Sequence, residues 1–296
     1  MASQTEPIPE LPPFLKSKGF SLIEKIGGGA FAAVYKASWT QMPNTVIAAK
    51  VISLTDETKA VWVQKCLKNE MKIIKSLNHP NVVRVYESIK TQRTAYIFIE
   101  FASNGSVGDI LEKTKKPILE TKAKKFLKDI VSGLAFCHSK EIAHRDIKPD
   151  NFLIDQNEKV MLSDFGFACK AITGAKLMKG TACGSPIYMA PEIKLKKEGE
   201  VYDAKASDVY ALGISLFQMV YFVYPFDSSN EKTYALKQMK KQFKHITQNQ
   251  NTSNPLRNLI DLMLDPNPKT RITAMGVSRH TWITGSVYST SARSSN

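Results

Sequence analysis

The spacing of hydrophobic and polar positions changes character near residue 100 of the chain. Before that point, short runs rich in β-branched and aromatic residues, at Val34 to Ala37, Thr45 to Ile52, Val82 to Glu87 and Thr94 to Phe101, predict strands. One segment interrupts them. From about Glu57 to Leu77, Val63, Leu67, Glu70 and Ile74 recur at steps of three and four, which predicts a helix with Glu70 on its apolar face. After Phe101 the same helical spacing runs through Lys122 to His138, Lys205 to Val220 and Leu256 to Leu264. The pattern therefore predicts an α+β molecule: a small sheet-bearing half with one main helix, then a larger, mostly helical half, with a cleft between them suited to a ligand.

Composition adds limits to this picture. At 296 residues with 43% hydrophobic and 23% charged positions, the chain resembles an ordinary globular protein with one large core or two coupled ones. Pro7, Pro9, Pro12 and Pro13 predict an extended leader over residues 1–19, and the Ser-rich end predicts a flexible tail over 283–296. Four scattered cysteines without a C-x-x-C pair argue against disulfides or zinc and for a reducing compartment, the cytoplasm with the nucleus also open. No secretory signal is expected, and Ala2 removes the glycine that myristoylation needs. The most apolar stretch, Ala211 to Phe226, is interrupted by Ser215, Gln218 and Pro225, so a buried helix is expected there rather than a membrane span. A net charge of +14 suits anionic partners, but the lysines are scattered along helical stretches without interleaved aromatics, as on solvated faces. Neither nucleic acid nor membrane is expected as a partner, and a monomer is.

Candidate chemistry begins at Gly27-Gly28-Gly29-Ala30-Phe31-Ala32-Ala33-Val34. Glycines at the first and third places let a backbone approach phosphate oxygens, although such a cluster also serves as a plain turn. Lys50, in Ile47-Ala48-Ala49-Lys50, reads either as an edge charge or as a phosphate cation with Glu70 for its counterion. The specific signal is His144-Arg145-Asp146-Ile147-Lys148-Pro149-Asp150-Asn151, followed by Asp164-Phe165-Gly166. Phosphoryl transfer needs a carboxylate to accept a hydroxyl proton, a cation on the moving group, and oxygen ligands for magnesium. Asp146, Lys148, and Asn151 with Asp164 match those roles in that order.

These motifs make the chain resemble a eukaryotic protein kinase domain over about Phe20 to Trp282, with a small lobe at 20–100 and a large one at 103–282. The resemblance implies the bilobal kinase fold, ATP and Mg2+ as cofactors, and protein substrates. It also implies that Glu192 of Ala190-Pro191-Glu192 pairs with Arg271, and that Asp208 supports the catalytic loop from beneath. Glu100 and Ala102 would bond adenine through their backbones, Val34 and Ala48 would cover it, Leu153 would floor it, and Ile99 would guard the space behind. Lys148 and Gly184-Ser185-Pro186 resemble Ser/Thr rather than tyrosine kinases. By the same resemblance Thr181 is an activating phosphorylation site for an upstream kinase, with Arg145 as its cation.

Within the family, Leu162 to Ala168 and Pro225 to Asn230 resemble the calmodulin-dependent kinase group, in particular the testis-specific Ser/Thr kinases. Ser185 to Glu192 and Tyr202 to Ala206 also resemble the Unc-51-like kinases. Two departures stand out. Ala32 replaces the third loop glycine and is expected to hinder loop closure if its φ is positive, and Ser106 stands where many relatives have an acid. The rival reading is an ATP-binding pseudokinase or scaffold, against which Lys50, Asp146, Asn151 and Asp164 are all present. A kinase-fold enzyme acting on small molecules is disfavoured by Gly184 to Glu192, which resembles a peptide-positioning segment.

Overall fold

Alternating side chains in the first hundred residues build five antiparallel strands in the spatial order β1-β2-β3-β5-β4. They are β1 (Phe20–Gly28), β2 (Ala32–Trp39), β3 (Ile47–Ser53), β4 (Val85–Lys90) and β5 (Thr94–Glu100). The computed structural model describes residues 8–28, 32–55, 73, 76–171, 184–197, 200–228, 231–243 and 252–285. Lys50 lies opposite Val34 on β2 and Ile97 on β5, and Ala48 lies opposite Ile99. Directly paired residues share a face, so these five side chains stand on one side of the sheet. Ile47, Ala49 and Phe98 stand on the other, in a cluster with Phe20 and Ala37.

That outer face corrects the expectation of an extended leader. Residues Pro13–Ser17 form a short helix, α1, which starts at Pro13, where a helix can do without an amide. Leu11 and Leu15, four apart, pack into the Phe20–Phe98 cluster, and Leu15 is fully buried. Phe20 stacks on Phe98 at 3.8 Å and on Trp39 at 5.0 Å, while Trp39 Nε1 donates to Lys18 O at 3.0 Å. Four prolines predict an extended chain, whereas Pro13 opens a helix whose apolar side covers the sheet.

Of the helix expected from Glu57 to Leu77, only Ile73, Ser76 and Leu77 are among the described residues. Ile73 has helical backbone, and Ile73 and Leu77 are buried against the large lobe. That lobe contains α2 (Val107–Thr114), α3 (Glu120–Ser139), α4 (Pro191–Lys194), α5 (Ala204–Tyr221), α6 (Glu231–Met239), α7 (Asn254–Met263), α8 (Ala274–Arg279) and α9 (Thr281–Thr284). Two short two-stranded ladders complete it: β6 (Ile142–Ala143) pairs with β9 (Cys169–Lys170), and β7 (Phe152–Ile154) with β8 (Val160–Leu162). Helix α5 is apolar on all sides and buried along nearly its whole length, as a central post must be. Among the described residues no helix is long and apolar enough to cross a membrane. The expected tail boundary also moves: Ile283 is buried in α9, and residues 286–296 lie outside those described.

Glu120, in the first turn of α3, clasps the base of this lobe. Its carboxylate accepts from Ser253 N at 2.9 Å, Ser253 Oγ at 2.5 Å and Trp282 Nε1 at 2.7 Å. Burial alone would raise this carboxyl, but the three donors and Lys124 bring it below its ordinary 4.5. A lowered carboxyl contributes stability that is present above its unfolded value and lost as pH falls through its folded one. Glu120→Gln is therefore expected to be less stable than the parent near neutrality, with the difference closing as pH falls below the ordinary carboxyl value, as read by urea denaturation across pH. Leu15→Ala should cost about 2–5 kcal/mol in the same assay, because it empties a filled site behind the sheet; an exposed leader would show no loss.

Candidate active site

The chain between β6 and β7 is short, polar and buried, so its groups must find partners. Asp208, near the start of α5 and 1% exposed, supplies them. Its Oδ2 accepts from His144 N at 2.8 Å and its Oδ1 from Arg145 N at 2.7 Å, and His138 Nε2 lies 2.9 Å from Oδ2. Arg145 is thereby held at φ 67°, a left-handed conformation that non-glycine residues rarely adopt. His144 is buried with its tautomer set by its neighbours. Nε2 faces the Ser163 carbonyl at 2.8 Å and must donate, so Nδ1 is left to accept from Asp146 N at 3.3 Å.

The kink turns Asp146 into a network of its own. Its Oδ2 lies 3.0 Å from Lys148 Nζ and accepts from Asn151 Nδ2 at 3.0 Å. Asn151 Nδ2 also donates to Asp146 O at 2.7 Å. Asp146 Oδ1 accepts from Ser185 N at 3.1 Å and Ser185 Oγ at 3.2 Å, and Lys148 Nζ donates to that same Oγ at 2.9 Å. Ser185 thus bridges the carboxylate and the lysine, a role that sequence reasoning did not assign to it. The signal was a hydroxyl residue directly after Gly184. That glycine has φ 95°, and a Cβ there would stand 2.4 Å from Arg145 O, so only glycine lets the segment come this close.

Across the cleft, Lys50 Nζ meets Asp164 Oδ1 at 2.8 Å, a link between β3 and the large lobe. Burial alone would raise the Asp164 carboxyl; the Lys50 ammonium, His144 and the Gly166 N–H outweigh it and hold the group below its ordinary value. Ser163, next to Asp164, donates through N at 3.0 Å and Oγ at 3.1 Å to Asn151 O, which ties the two halves of the site together. As magnesium ligands the pair fits chemically. Asn151 spends its amide nitrogen on Asp146, and no hydrogen bond from the described residues reaches its Oδ1. The Asp164 side chain keeps 39% of its surface open. Among the described residues no cluster of three or more His, Cys, Asp or Glu side chains is arranged for a metal. Two hard oxygens beside bound phosphates suit magnesium, which keeps several other ligands of its own.

Other expected residues fall in several places. Val34 and Ala48 share the Lys50 face of the sheet. The linker after Glu100 is zipped to β7 by Asn104 N to Ile154 O at 3.1 Å and Ile154 N to Gly105 O at 2.8 Å, and Leu153 bridges to Ser106. Ser106 turns to α2, where its Oγ and the Asp109 carboxylate form a reciprocal cap. Ala32 is paired with Ile52 inside β2 and is not among the residues with positive φ, so the expected hindrance to loop closure is withdrawn. Gly27 lies in β1 opposite Val34. Arg145 Nε donates to Tyr202 Oη at 2.8 Å. Gly29, Glu70 and Thr181 lie outside the described residues.

A family model described as a protein kinase domain matches residues 20–283. Over 267 residues, 89% of the chain, there is 34% identity to the probable serine/threonine-protein kinase MARK-A of Dictyostelium discoideum, 24% of which is covered. Over 268 residues, 90% of the chain, there is 35% identity to the human SNF-related serine/threonine-protein kinase, 34% of which is covered. With CBL-interacting serine/threonine-protein kinase 8 of Arabidopsis thaliana the identity is 32% over 263 residues, 89% of the chain and 57% of that relative. The chain thus spans well under two thirds of the length of these relatives.

Glu192 closes the far end of the Ser185 segment. Arg271, whose side chain is fully buried, meets it with Nη1 to Oε1 at 2.7 Å and Nη2 to Oε2 at 2.9 Å. Further guanidinium hydrogen bonds go to the carbonyls of Ala206, Asp265 and Pro266, and the group lies 4.8 Å from the centre of the Tyr210 ring. Removing one partner of such a pair strands the other charge. Arg271→Met should lose about 3–5 kcal/mol in denaturant unfolding, and Arg271→Lys should recover little, since an ammonium cannot reproduce the two-pronged contact.

Proposed function

The chain belongs to the protein kinase family, and from that premise we propose that it transfers the γ-phosphate of ATP to serine or threonine hydroxyls of proteins. The observation that carries this reading is the buried Asp146 carboxylate, shared among Lys148, Asn151 and Ser185. In the reaction the acceptor oxygen forms a bond to the γ-phosphorus while the bond to the bridging β–γ oxygen breaks and ADP leaves. The hydroxyl proton passes to Asp146, and Lys148, 3.0 Å from that carboxylate, lies where negative charge moves. Ser185 and Asn151 hold the carboxylate in one orientation, which spares the reaction that search. Magnesium, held by Asn151 and Asp164, would neutralise phosphate charge.

Lys50 serves the phosphates in the same reading, with Asp164 as its described counterion. Val34, Ala48 and Leu153 enclose adenine, and the backbones of Glu100 and Ala102 bond it. Ile99, opposite Ala48, closes the space behind. Thr181 is the proposed switch: a phosphate there adds about −1.5 to −2 charge, for which Arg145 is the cation.

The test is magnesium-dependent transfer of labelled γ-phosphate to a degenerate Ser/Thr peptide library. Asp146→Asn should lower kcat by about 10²–10⁴-fold without loss of ATP binding. Ser185→Ala should cost about 10–100-fold, the worth of hydrogen bonds to charged groups, and Ser185→Thr should restore most of it. Transfer by Asp146→Asn at the parental rate would refute the assignment.

A further inference from the structure

Between Ser185, bound to Asp146, and Glu192, bound to Arg271, runs a segment two of whose carbonyls are held by side chains of α6. Tyr234 of α6, 2% exposed, donates its hydroxyl to Ile187 O at 2.6 Å. Gln238, one turn further along α6 and fully buried, donates Nε2 to Met189 O at 3.0 Å. Positions four apart stand on one face, so both bonds leave the helix in one direction. The Tyr234 ring is fixed in turn, with Phe226 edge-on at 6.2 Å and Lys194 Nζ 4.2 Å above it.

Gln238 is the informative residue. Its Oε1 and the Tyr210 hydroxyl are both buried and neither makes a well-aligned hydrogen bond among the described residues, although the Gln238 amide lies close enough to that hydroxyl to act on it. A stranded buried acceptor costs stability, and an apolar side chain of the same size would fill the space without that cost. What such a side chain cannot do is hold the Met189 carbonyl.

We infer that Tyr234 and Gln238 are positioning residues for the protein acceptor. By clamping the carbonyls of Ile187 and Met189 they keep the segment beyond the Asp146–Ser185 bond on one track beside the cleft. They thereby set affinity for an extended Ser/Thr peptide and leave ATP untouched. This rests on the kinase reading above.

The experiment compares the full chain with Tyr234→Phe, Gln238→Leu and the double variant, using the best acceptor from a degenerate Ser/Thr peptide library. The double variant should raise the peptide KM about tenfold, with the ATP KM and the peptide-free rate of ATP hydrolysis unchanged. Amide exchange at Tyr188 and Met189, now bonded to Ser185 O at 3.0 Å and Pro186 O at 3.3 Å, should quicken. An unchanged peptide KM in an active protein overturns the inference. So does a parallel rise in both KM values with a lower melting temperature, which would make the two residues merely structural. If the parent binds ATP yet transfers no phosphate, the kinase reading fails and exchange alone decides: faster exchange at those two amides keeps the clamp, and unchanged exchange removes it.

Discussion

A single carboxylate, Asp208, carries the geometry of the loop that presents Asp146. An ionised group in the interior is expensive unless donors surround it, and this one receives the amides of His144 and Arg145 with His138 beside it. Those bonds in turn hold Arg145 in a backbone conformation it would otherwise leave. The same hydrogen bonds offset both the cost of burying the carboxylate and the cost of the kink. Because α5 is buried on every side, its aspartate is fixed in space, and Asp146 inherits that rigidity one residue beyond the kink.

Charge within the site is balanced in a way that the total of +14 conceals. Lys50 is matched by Asp164, Lys148 by Asp146, and Arg271 by Glu192. Excess lysine lies on outer faces such as that of α3, where Lys122 and Lys125 both reach Glu158. Screened, exposed pairs of that kind add little to stability, whereas Lys50 with Asp164 ties strand to loop, Arg271 with Glu192 ties helix to segment, and Lys148 with Asp146 fixes the loop internally.

Much of this was legible in the sequence because it depends on period and on fixed offsets. The helical spacing of Lys205 to Val220 marked the central post, and the run from His144 to Asn151 placed the Asp146 carboxylate beside Lys148 and the Asn151 amide. Contacts between distant segments were legible only where the family resemblance named them, as with Glu192 and Arg271 or Asp208 and the loop. Ser185 was missed as a bridge because its partners lie 37 and 39 residues away, and a hydroxyl carries no period. The leader was misjudged for another reason. A proline reports its own φ and its missing amide, and both suit the first turn of a helix as well as an extended chain.

That short helix has a consequence for where the folding unit starts. The family match begins at Phe20, yet the floor beneath Phe20 and Phe98 is roofed by Leu11 and Leu15. A fragment cut at the family boundary would be born with a bare aromatic patch on the back of its sheet, next to the strand that carries Lys50. Surfaces of that kind recruit other copies of the same surface. For this chain, two of the residues that cover the back of the small lobe's sheet lie outside the part that makes it recognisable.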